Sequence, residues 1–121
     1  MVKIFFDFET TGCYWNFDAP VQIAAICEKD GEIIDSFNEL CRTTVTISPQ
    51  ATKVHGITRE MIKDKRGEAV VLRDFIRWIR TSINTLAPYF VDIEYDRYLE
   101  KDAPTQATDF PKMHKSSEFQ E

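Results

Sequence analysis

One stretch decides the fold of this chain: Lys3-Ile4-Phe5-Phe6-Asp7-Phe8-Glu9-Thr10-Thr11-Gly12. Its apolar residues predict a largely buried β-strand, and the Thr-Thr-Gly turn predicts where that strand ends. Side chains two residues apart on a strand point to the same face, so Asp7 and Glu9 should project together, opposite Phe6 and Phe8. The two acids then lie at the carboxyl end of the strand, where open α/β sheets hold their functional sites.

The spacing of these two acids favours a metal site. Two carboxylates on a mostly buried face repel each other and lose hydration, so they need a compensating cation. Oxygen ligands of this kind suit Mg²⁺ or Mn²⁺. An Asp-x-Glu pair also occurs on solvated strand faces that bind nothing. Here the apolar context of Asp7 and Glu9, and the abrupt end of the strand, favour metal binding.

Length, charge and cysteine content restrict the class of protein. A chain of 121 residues predicts one domain. The net charge of −5 argues against coating duplex DNA through broad electrostatics, but not against gripping one strand end through bound metal ions. The three cysteines, Cys13, Cys27 and Cys41, predict reduced thiols rather than a disulfide framework or zinc site. Without a membrane span or signal segment, we expect a cytoplasmic or nuclear protein, or an intracellular viral or phage product.

The residues after the first strand predict a three-stranded meander and then helices. Residues 20–27 form a strand pattern, Asp30-Gly31 is a hairpin turn signal, and residues 33–40 form the return strand. Residues 43–50 should form a polar loop. Thr58 should then cap a short helix.

The second half of the chain contains the clearest helix, over residues 68–83. Its apolar stripe at helical spacing predicts a face packed on the sheet: Leu72, Phe75, Ile76, Ile79 and Ile83. Residues 88–93 suggest a fourth strand. We therefore expect one domain over residues 1–101, followed by a polar, disordered tail over residues 102–121.

Three further features could contact nucleic acid or have purely structural roles. The loop after Gly12 contains Tyr14, Trp15 and Phe17, which could stack on a base or pack over the edge of the core. His55 lies in a turn, where a structural role is the simpler interpretation. A basic cluster could contact phosphates or form a solvated face. Its members are Lys53, Arg59, Lys63, Lys65 and Arg66.

Three segments, in order and spacing, resemble the DEDDh family of 3′-to-5′ exonucleases. This family includes the proofreading epsilon subunit of bacterial DNA polymerase III, ribonuclease T and oligoribonuclease. Phe5-Phe6-Asp7-Phe8-Glu9-Thr10-Thr11-Gly12 resembles its first motif, and Val21-Gln22-Ile23-Ala24-Ala25-Ile26 resembles its second strand. Residues 47–62, which contain His55-Gly56-Ile57-Thr58, resemble the segment that leads to its "HGIT" turn.

The resemblance implies a ribonuclease-H-like α/β fold, a mixed five-stranded sheet with helices on both faces. This chain would contribute a three-stranded meander, a following strand and flanking helices, and would be incomplete at its C-terminus. The implied reaction is hydrolysis of phosphodiester bonds at the 3′ end of DNA or RNA with two Mg²⁺ or Mn²⁺ ions. Asp7 and Glu9 would be catalytic metal ligands. The implied substrate-binding residues are Phe8, Thr10, Thr11, Gly12 and His55.

The later family motifs match this chain less closely. Tyr95-Asp96-Arg97-Tyr98-Leu99 resembles the second motif, which makes Asp96 the third catalytic acid and metal ligand, with Asp92 as the alternative. The Ala-His-Asn part of that motif is absent. The third motif, His-x-Ala-x-x-Asp, supplies the general base, and residues 114–118 echo it poorly. The chain is therefore expected to be a C-terminally truncated relative.

Two functions stay open from the sequence. The chain could be a 3′-to-5′ exonuclease that binds single-stranded DNA or RNA 3′ ends, with a protein partner or homo-oligomer completing its domain. It could instead be a catalytically inactive truncated relative that binds nucleic acid or protein, or a degraded gene product. A sheet without its last strand and closing helix would expose an apolar face, so we expect the isolated chain to associate.

Overall fold

The computed structural model describes residues 1–14, 16–86 and 91–95. Its strands are β1 (Val2–Thr10), β2 (Pro20–Lys29), β3 (Glu32–Leu40) and β4 (Val91–Tyr95), and its helices are α1 (Pro49–His55), α2 (Arg59–Ile62) and α3 (Glu68–Thr85). The strands form one mixed sheet in the order β3-β2-β1-β4, antiparallel except for the parallel pair β1 and β4. The predicted meander, following strand and α/β class are confirmed. The predicted tail lies outside the described residues.

Strand β1 lies inside the sheet and is paired along both edges. One of its faces, which includes Ile4, Phe6 and Phe8, packs towards Phe75 of α3. Phe5 lies on the opposite face and is buried as well. Because both faces are largely covered, the strand reads as a nearly continuous apolar run rather than as a strict alternation.

The hairpin between β2 and β3 follows the predicted turn chemistry. Asp30 and Gly31 both have positive φ, 52° and 89°, as a two-residue type I′ turn requires. The amino group of Met1 donates to Asp30 Oδ1 at 2.9 Å, which ties the start of β1 to this hairpin. The hairpin and the chain start therefore lie together at one end of the sheet.

Helix α1 was missed, because residues 43–50 are predicted to be a loop and no helix is predicted before Thr58. Ser48 caps α1 by accepting from the N–H of Ala51 at 3.1 Å, and Pro49 opens its first turn. Gly56, with φ of 73°, ends it in the left-handed conformation. A seven-residue helix spans too few turns to show an apolar period, so only its caps could have indicated it.

The predicted helix over 68–83 is confirmed as α3, but its predicted buried stripe is wrong in part. Phe75 is buried and Ile79 packs against the core as predicted, but Val71 and Ser82 are also buried and Trp78 packs beside them. Leu72, Ile76 and Ile83 are 38%, 42% and 39% exposed. The large rings of Phe75 and Trp78 take the face towards the sheet, and the Ser82 hydroxyl is satisfied by donating to the Trp78 carbonyl at 2.9 Å. The face of α3 that packs on the sheet is therefore rotated relative to the predicted aliphatic stripe.

The outer apolar row of α3, formed by Leu72, Ile76 and Ile83, should make the chain associate. An exposed row at this spacing can pack against a second helix. We expect the wild-type chain to elute as a dimer or larger species in size-exclusion chromatography with light scattering. The double variant Leu72→Lys/Ile76→Lys should shift towards the monomer. A wild-type chain that is monodisperse and monomeric at all loading concentrations would contradict this prediction.

No helix among the described residues combines the length and the apolar character needed to cross a membrane.

Candidate active site

The two acids of β1 share one face of the strand. Both project away from Phe6 and Phe8. The ring centroids of Phe6 and Phe8 lie 6.0 and 5.9 Å from the centroid of Phe75. Asp7 is 2% exposed, whereas Glu9 is half-buried. The structure confirms the shared face and adds that the two carboxylates differ in burial.

Regular pairing of β1 ends just after the second acid. The register against β2 shifts between Glu9 and Thr10, so that Thr10 pairs with Pro20. An irregularity of this kind bends a strand and increases its twist. Pro20 has no N–H to donate to the ladder, which weakens the pairing further. The hydrogen-bonded ladder between β1 and β2 is therefore interrupted directly beside the acids.

An open cavity of about 300 Å³ lies against this end of β1. One wall comes from the strand end and the turn that follows it: Phe8, Glu9, Thr10, Gly12 and Cys13. The other wall comes from α1 and its cap: Ser48, Gln50, Ala51, Val54 and His55. Four of the five predicted substrate-binding residues thus line one cavity, together with one of the predicted acids.

The α1 wall of this cavity was not predicted from the sequence. Ser48 caps α1 and Val54 lies on it, and the start of this helix falls in the predicted loop over residues 43–50. A signal was present, because the Ser48-Pro49 pair followed by Gly56 is a typical start and end of a short helix.

Thr11, the remaining predicted substrate-binding residue, is not among the residues that line the cavity. It is fully buried. Its N–H donates to the Ala19 carbonyl at 2.9 Å, and its carbonyl accepts from the Ser48 N–H at 2.8 Å. Its hydroxyl donates to Asp18 Oδ1 at 2.7 Å. These bonds fix the turn that shapes the cavity, and a contact between Thr11 and substrate stays a prediction.

Asp18 clamps the loop against this turn. Its carboxylate accepts from the Thr11 hydroxyl and from the N–H of Tyr14 at 2.8 Å. It lies so near Gly12 that a Cβ there would come within 2.6 Å of Asp18 Oδ2. A side chain at position 12 would therefore displace the Asp18 carboxylate from its present position. Sequence reasoning missed Asp18, although an acid in a loop often bonds to nearby backbone N–H groups in this way.

His55 joins the end of α1 to the end of β1. Its Nδ1 accepts from the N–H of Ile57 at 3.0 Å. Because Nδ1 is an acceptor, Nε2 carries the proton and donates to the Thr10 carbonyl at 2.9 Å. The ring is buried, so His55 holds the two walls of the cavity together as a neutral imidazole.

Burial lowers the pKa of His55, and the weaker opposing effect of the hydrogen bond to Thr10 does not restore it. The folded-state pKa is therefore below the unfolded value of 6.5. Stability from this group is fully present above that pH and is lost as the pH falls through the folded pKa. We expect the free energy of unfolding to fall by up to about 1.4 kcal/mol per pH unit in this range. Urea unfolding between about pH 7 and pH 5 measures the slope.

The matched variant for this measurement is His55→Gln, which has no titrating ring. Its free energy of unfolding should be lower near neutral pH but should depend less on pH. If the wild type and His55→Gln have parallel pH profiles, His55 does not control acid stability.

The acid pair fits a divalent cation in its chemistry. Asp7 and Glu9 offer the hard oxygen donors that Mg²⁺ and Mn²⁺ prefer, and a carboxylate as buried as Asp7 is costly to keep charged without a cation nearby. Within residues 1–14, 16–86 and 91–95, no group of three or more His, Cys, Asp or Glu side chains is placed to hold a metal. Mg²⁺ sites commonly combine one or two carboxylates with water and substrate phosphate, and the pair fits a site of that kind.

The register of β4 bears on Asp92, the alternative second-motif acid. Asp92 pairs with Lys3 near the start of β1. Lys3 is four residues before Asp7, so Asp92 lies about 13 Å from Asp7 along the strand direction. Asp96 lies outside the described residues, but it directly follows Tyr95, whose backbone pairs with Phe6. The register of β4 argues against Asp92 as a partner of the acid pair.

The predicted basic cluster is partly occupied by internal contacts. Arg59 donates to the backbone carbonyls of Thr43 and Val45. Arg66 forms an ion pair with Asp74 of α3. These two cations fasten the segment around α2 to the rest of the fold, which favours the structural interpretation for them.

A sequence-family model described as "Exonuclease", RNase_T, matches residues 4–115. The match starts within β1 and continues well past α3. It therefore extends the resemblance seen in the three segments of the first half of the chain.

Curated relatives include DNA polymerase III PolC-type proteins. The Bacillus subtilis protein is 32% identical over 102 residues, which cover 80% of this chain and 7% of the relative. The Thermotoga petrophila protein is 36% identical over 77 residues, which cover 64% of this chain and 6% of the relative. The chain thus spans a small fraction of the length of these relatives.

Solved structures with the same fold include nucleases. The nuclease domain of 3′hExo, a DEDDh family member bound to rAMP, has a TM-score of 0.63 and 18% identity, over 84% of this chain and 54% of that chain. The zinc-bound form of the E. coli ExoI–ssDNA complex has a TM-score of 0.60 and 23% identity, over 78% and 20%. This likeness shows a common ribonuclease-H-like fold.

Proposed function

This chain belongs to the RNase T family of DEDDh 3′-to-5′ exonucleases, and we propose that it hydrolyses phosphodiester bonds at the 3′ end of a nucleic-acid strand. The observation that carries the proposal is the position of the acid pair. Asp7 and Glu9 lie on one strand face. Glu9 lines a cavity at the end of β1, where the regular pairing of β1 with β2 is interrupted. The cavity is at the small end of the size range of ligand pockets, which suits a single terminal nucleotide.

We assign Asp7 and Glu9 as catalytic residues that hold Mg²⁺ or Mn²⁺, with Asp96 as a third ligand. When bound, two such ions supply an activated water and stabilise the leaving oxygen. The burial of Asp7 supports this role, because a carboxylate in a low-dielectric site attracts a cation more strongly than one in water. The register of β4 supports the assignment of Asp96, because the preceding residue, Tyr95, pairs with Phe6, the neighbour of Asp7 on β1.

The other cavity residues are assigned to binding and positioning. Phe8, Thr10 and Gly12 line the strand side of the cavity. His55 acts through Thr10, because its ring holds the Thr10 carbonyl at 2.9 Å and so fixes the strand end relative to α1. Neither nitrogen of His55 is available as a general base in this arrangement, because both are already hydrogen-bonded.

Single-stranded DNA or RNA is the proposed substrate. The similar nuclease domain of 3′hExo was solved bound to rAMP, and E. coli ExoI was solved in complex with ssDNA. The net charge of −5 agrees with a grip on one strand end through metal ions and not with wide electrostatic contact to duplex DNA. A protein partner or a second copy of the chain is proposed to bind the exposed row of α3.

A label-release assay tests the proposed function. A single-stranded oligonucleotide labelled at its 3′ end, in DNA and RNA versions, is incubated with the chain and Mn²⁺ or Mg²⁺. We expect the label to leave as a mononucleotide with either ion and to stay in place with EDTA. A copy labelled at the 5′ end should shorten by successive single nucleotides. If neither version releases label with any divalent ion, the chain is an inactive relative and the proposal fails.

A further inference from the structure

Two aromatic side chains in the loop after Gly12 point into solvent. Tyr14 is 66% exposed and Phe17 is 72% exposed, more than the other large apolar side chains among the described residues. The aromatic residues of the core behave differently, because Phe6, Phe8 and Phe75 pack on one another. Large exposed rings on a small protein are unfavourable unless something binds them.

The loop that presents these rings is held in place by hydrogen bonds. The N–H groups of Phe17 and Asp18 both donate to the Tyr14 carbonyl, at 3.0 and 2.8 Å. The Asp18 carboxylate also bonds to the N–H of Tyr14 and to the buried Thr11 hydroxyl. The hydrogen bond from the Phe17 N–H to the Tyr14 carbonyl closes a tight turn. The Cα atoms that carry the two rings are therefore close together. Their exposure is therefore set by the fold of the turn.

The position of this turn connects it to the cavity. Gly12 and Cys13 line the cavity edge, and Tyr14 is the next residue. A strand whose last nucleotide occupies the cavity must leave it across one of the rims. The rim formed by this loop offers flat apolar surfaces, and every base has a π-face that can stack on them.

We infer that Tyr14 and Phe17 form a base-stacking platform for the nucleotides that precede the terminal one in a single strand. The inference rests on the proposed function, because it takes the cavity as the site of the terminal nucleotide. Stacking explains how an acidic protein can hold a polyanion away from its metal ions, since this contact needs no positive charge. It also restricts the substrate to strands with unpaired bases near the 3′ end.

The experiment measures binding of a 5′-fluorescent 12-nucleotide DNA strand by anisotropy, with and without an abasic residue next to the 3′ nucleotide. The Asp7→Asn background prevents hydrolysis during the measurement. We expect tighter binding of the intact strand. Tyr14→Ala or Phe17→Ala should weaken its binding about tenfold and remove most of its advantage over the abasic strand. Tyr14→Phe should retain that advantage, because its ring is kept.

The salt dependence separates stacking from charge effects. The slope of log affinity against log salt concentration should be the same for Tyr14→Ala and its parent, because no phosphate contact is lost. Ile34→Ala, a change at an exposed apolar residue of β3 away from the cavity, is the matched control and should leave binding unchanged. Both rings are exposed, so their removal should also leave the thermal unfolding curve unchanged.

The outcomes distinguish this inference from the proposed function. Equal binding of intact and abasic strands, or unchanged binding by both alanine variants, overturns the stacking platform. The proposed function survives that result if the wild-type chain still releases the 3′ label. If the wild-type chain neither binds nor cleaves any strand, the proposed function fails and the platform fails with it.

Discussion

Replacing Asp7 by Asn is expected to abolish metal-dependent release of a 3′ label. The change removes one negative charge and keeps the shape of the side chain, so it tests the carboxylate rather than the packing. Loss of one member of a catalytic unit typically costs several orders of magnitude, and we expect a decrease on the order of a thousandfold or more. Titration of Mn²⁺ by calorimetry should show weaker binding in parallel, because half of the acid pair is lost.

The fold should survive this substitution. Asp7 is almost completely buried, and a neutral amide costs less to bury than a carboxylate, so the melting temperature should be unchanged or higher. Asp64→Asn, at an exposed position after α2, removes the same charge far from the cavity and should keep full activity. Wild-type activity in Asp7→Asn would remove the acid pair from the mechanism. Label release that does not follow the Asp7→Asn protein through a second purification step would instead indicate a contaminating nuclease.

Truncating Phe75 to Ala should unfold the domain or bring it close to unfolding. The ring is buried between the sheet and α3, with centroids 5.5 Å from Phe37 and 6.0 Å from Phe6. Removing a buried Phe side chain costs about 3–5 kcal/mol through lost burial and the cavity left behind. Small domains have a free energy of unfolding of only about 5–15 kcal/mol. Urea unfolding followed by circular dichroism measures the loss.

The matched control lies one residue further along the same helix. Ile76 belongs to the predicted buried stripe, yet it is 42% exposed. Ile76→Ala should therefore cost about 1 kcal/mol or less. Equal losses for Phe75→Ala and Ile76→Ala would restore the aliphatic stripe as the buried face and would contradict the observed rotation of α3.

The comparison of these two positions shows what sequence patterns can determine. Asp7 and Glu9 share a face because alternation along a strand is a local property, and Asp30-Gly31 forms its turn because both residues tolerate positive φ. The buried face of α3 depends instead on which side chains fill the space above Phe37, and that is a tertiary property. A periodicity of apolar residues cannot distinguish a row that faces the sheet from a row that faces outwards.

The candidate site shows the same division. The acid pair and the turn that follows it are predicted from local chemistry. The clamp by Asp18 and the wall built by α1 were not, because both depend on contacts between segments that are distant in sequence or too short to show a pattern. The prediction that His55 lies in a turn is wrong, because His55 is the last residue of α1. The two hydrogen bonds of its ring explain its role.

The tie between the Met1 amino group and Asp30 has a practical consequence for how this domain can be joined to other polypeptides. The tie lies at the opposite end of β1 from Glu9, about 25 Å away for a strand of this length. Additional residues ahead of Val2 would emerge on the side remote from the cavity. A fusion tag, an immobilisation handle or a larger host protein attached there would turn the Met1 amino group into an amide and remove this exposed ion pair, which contributes little stability, while the cavity stays open to a strand end.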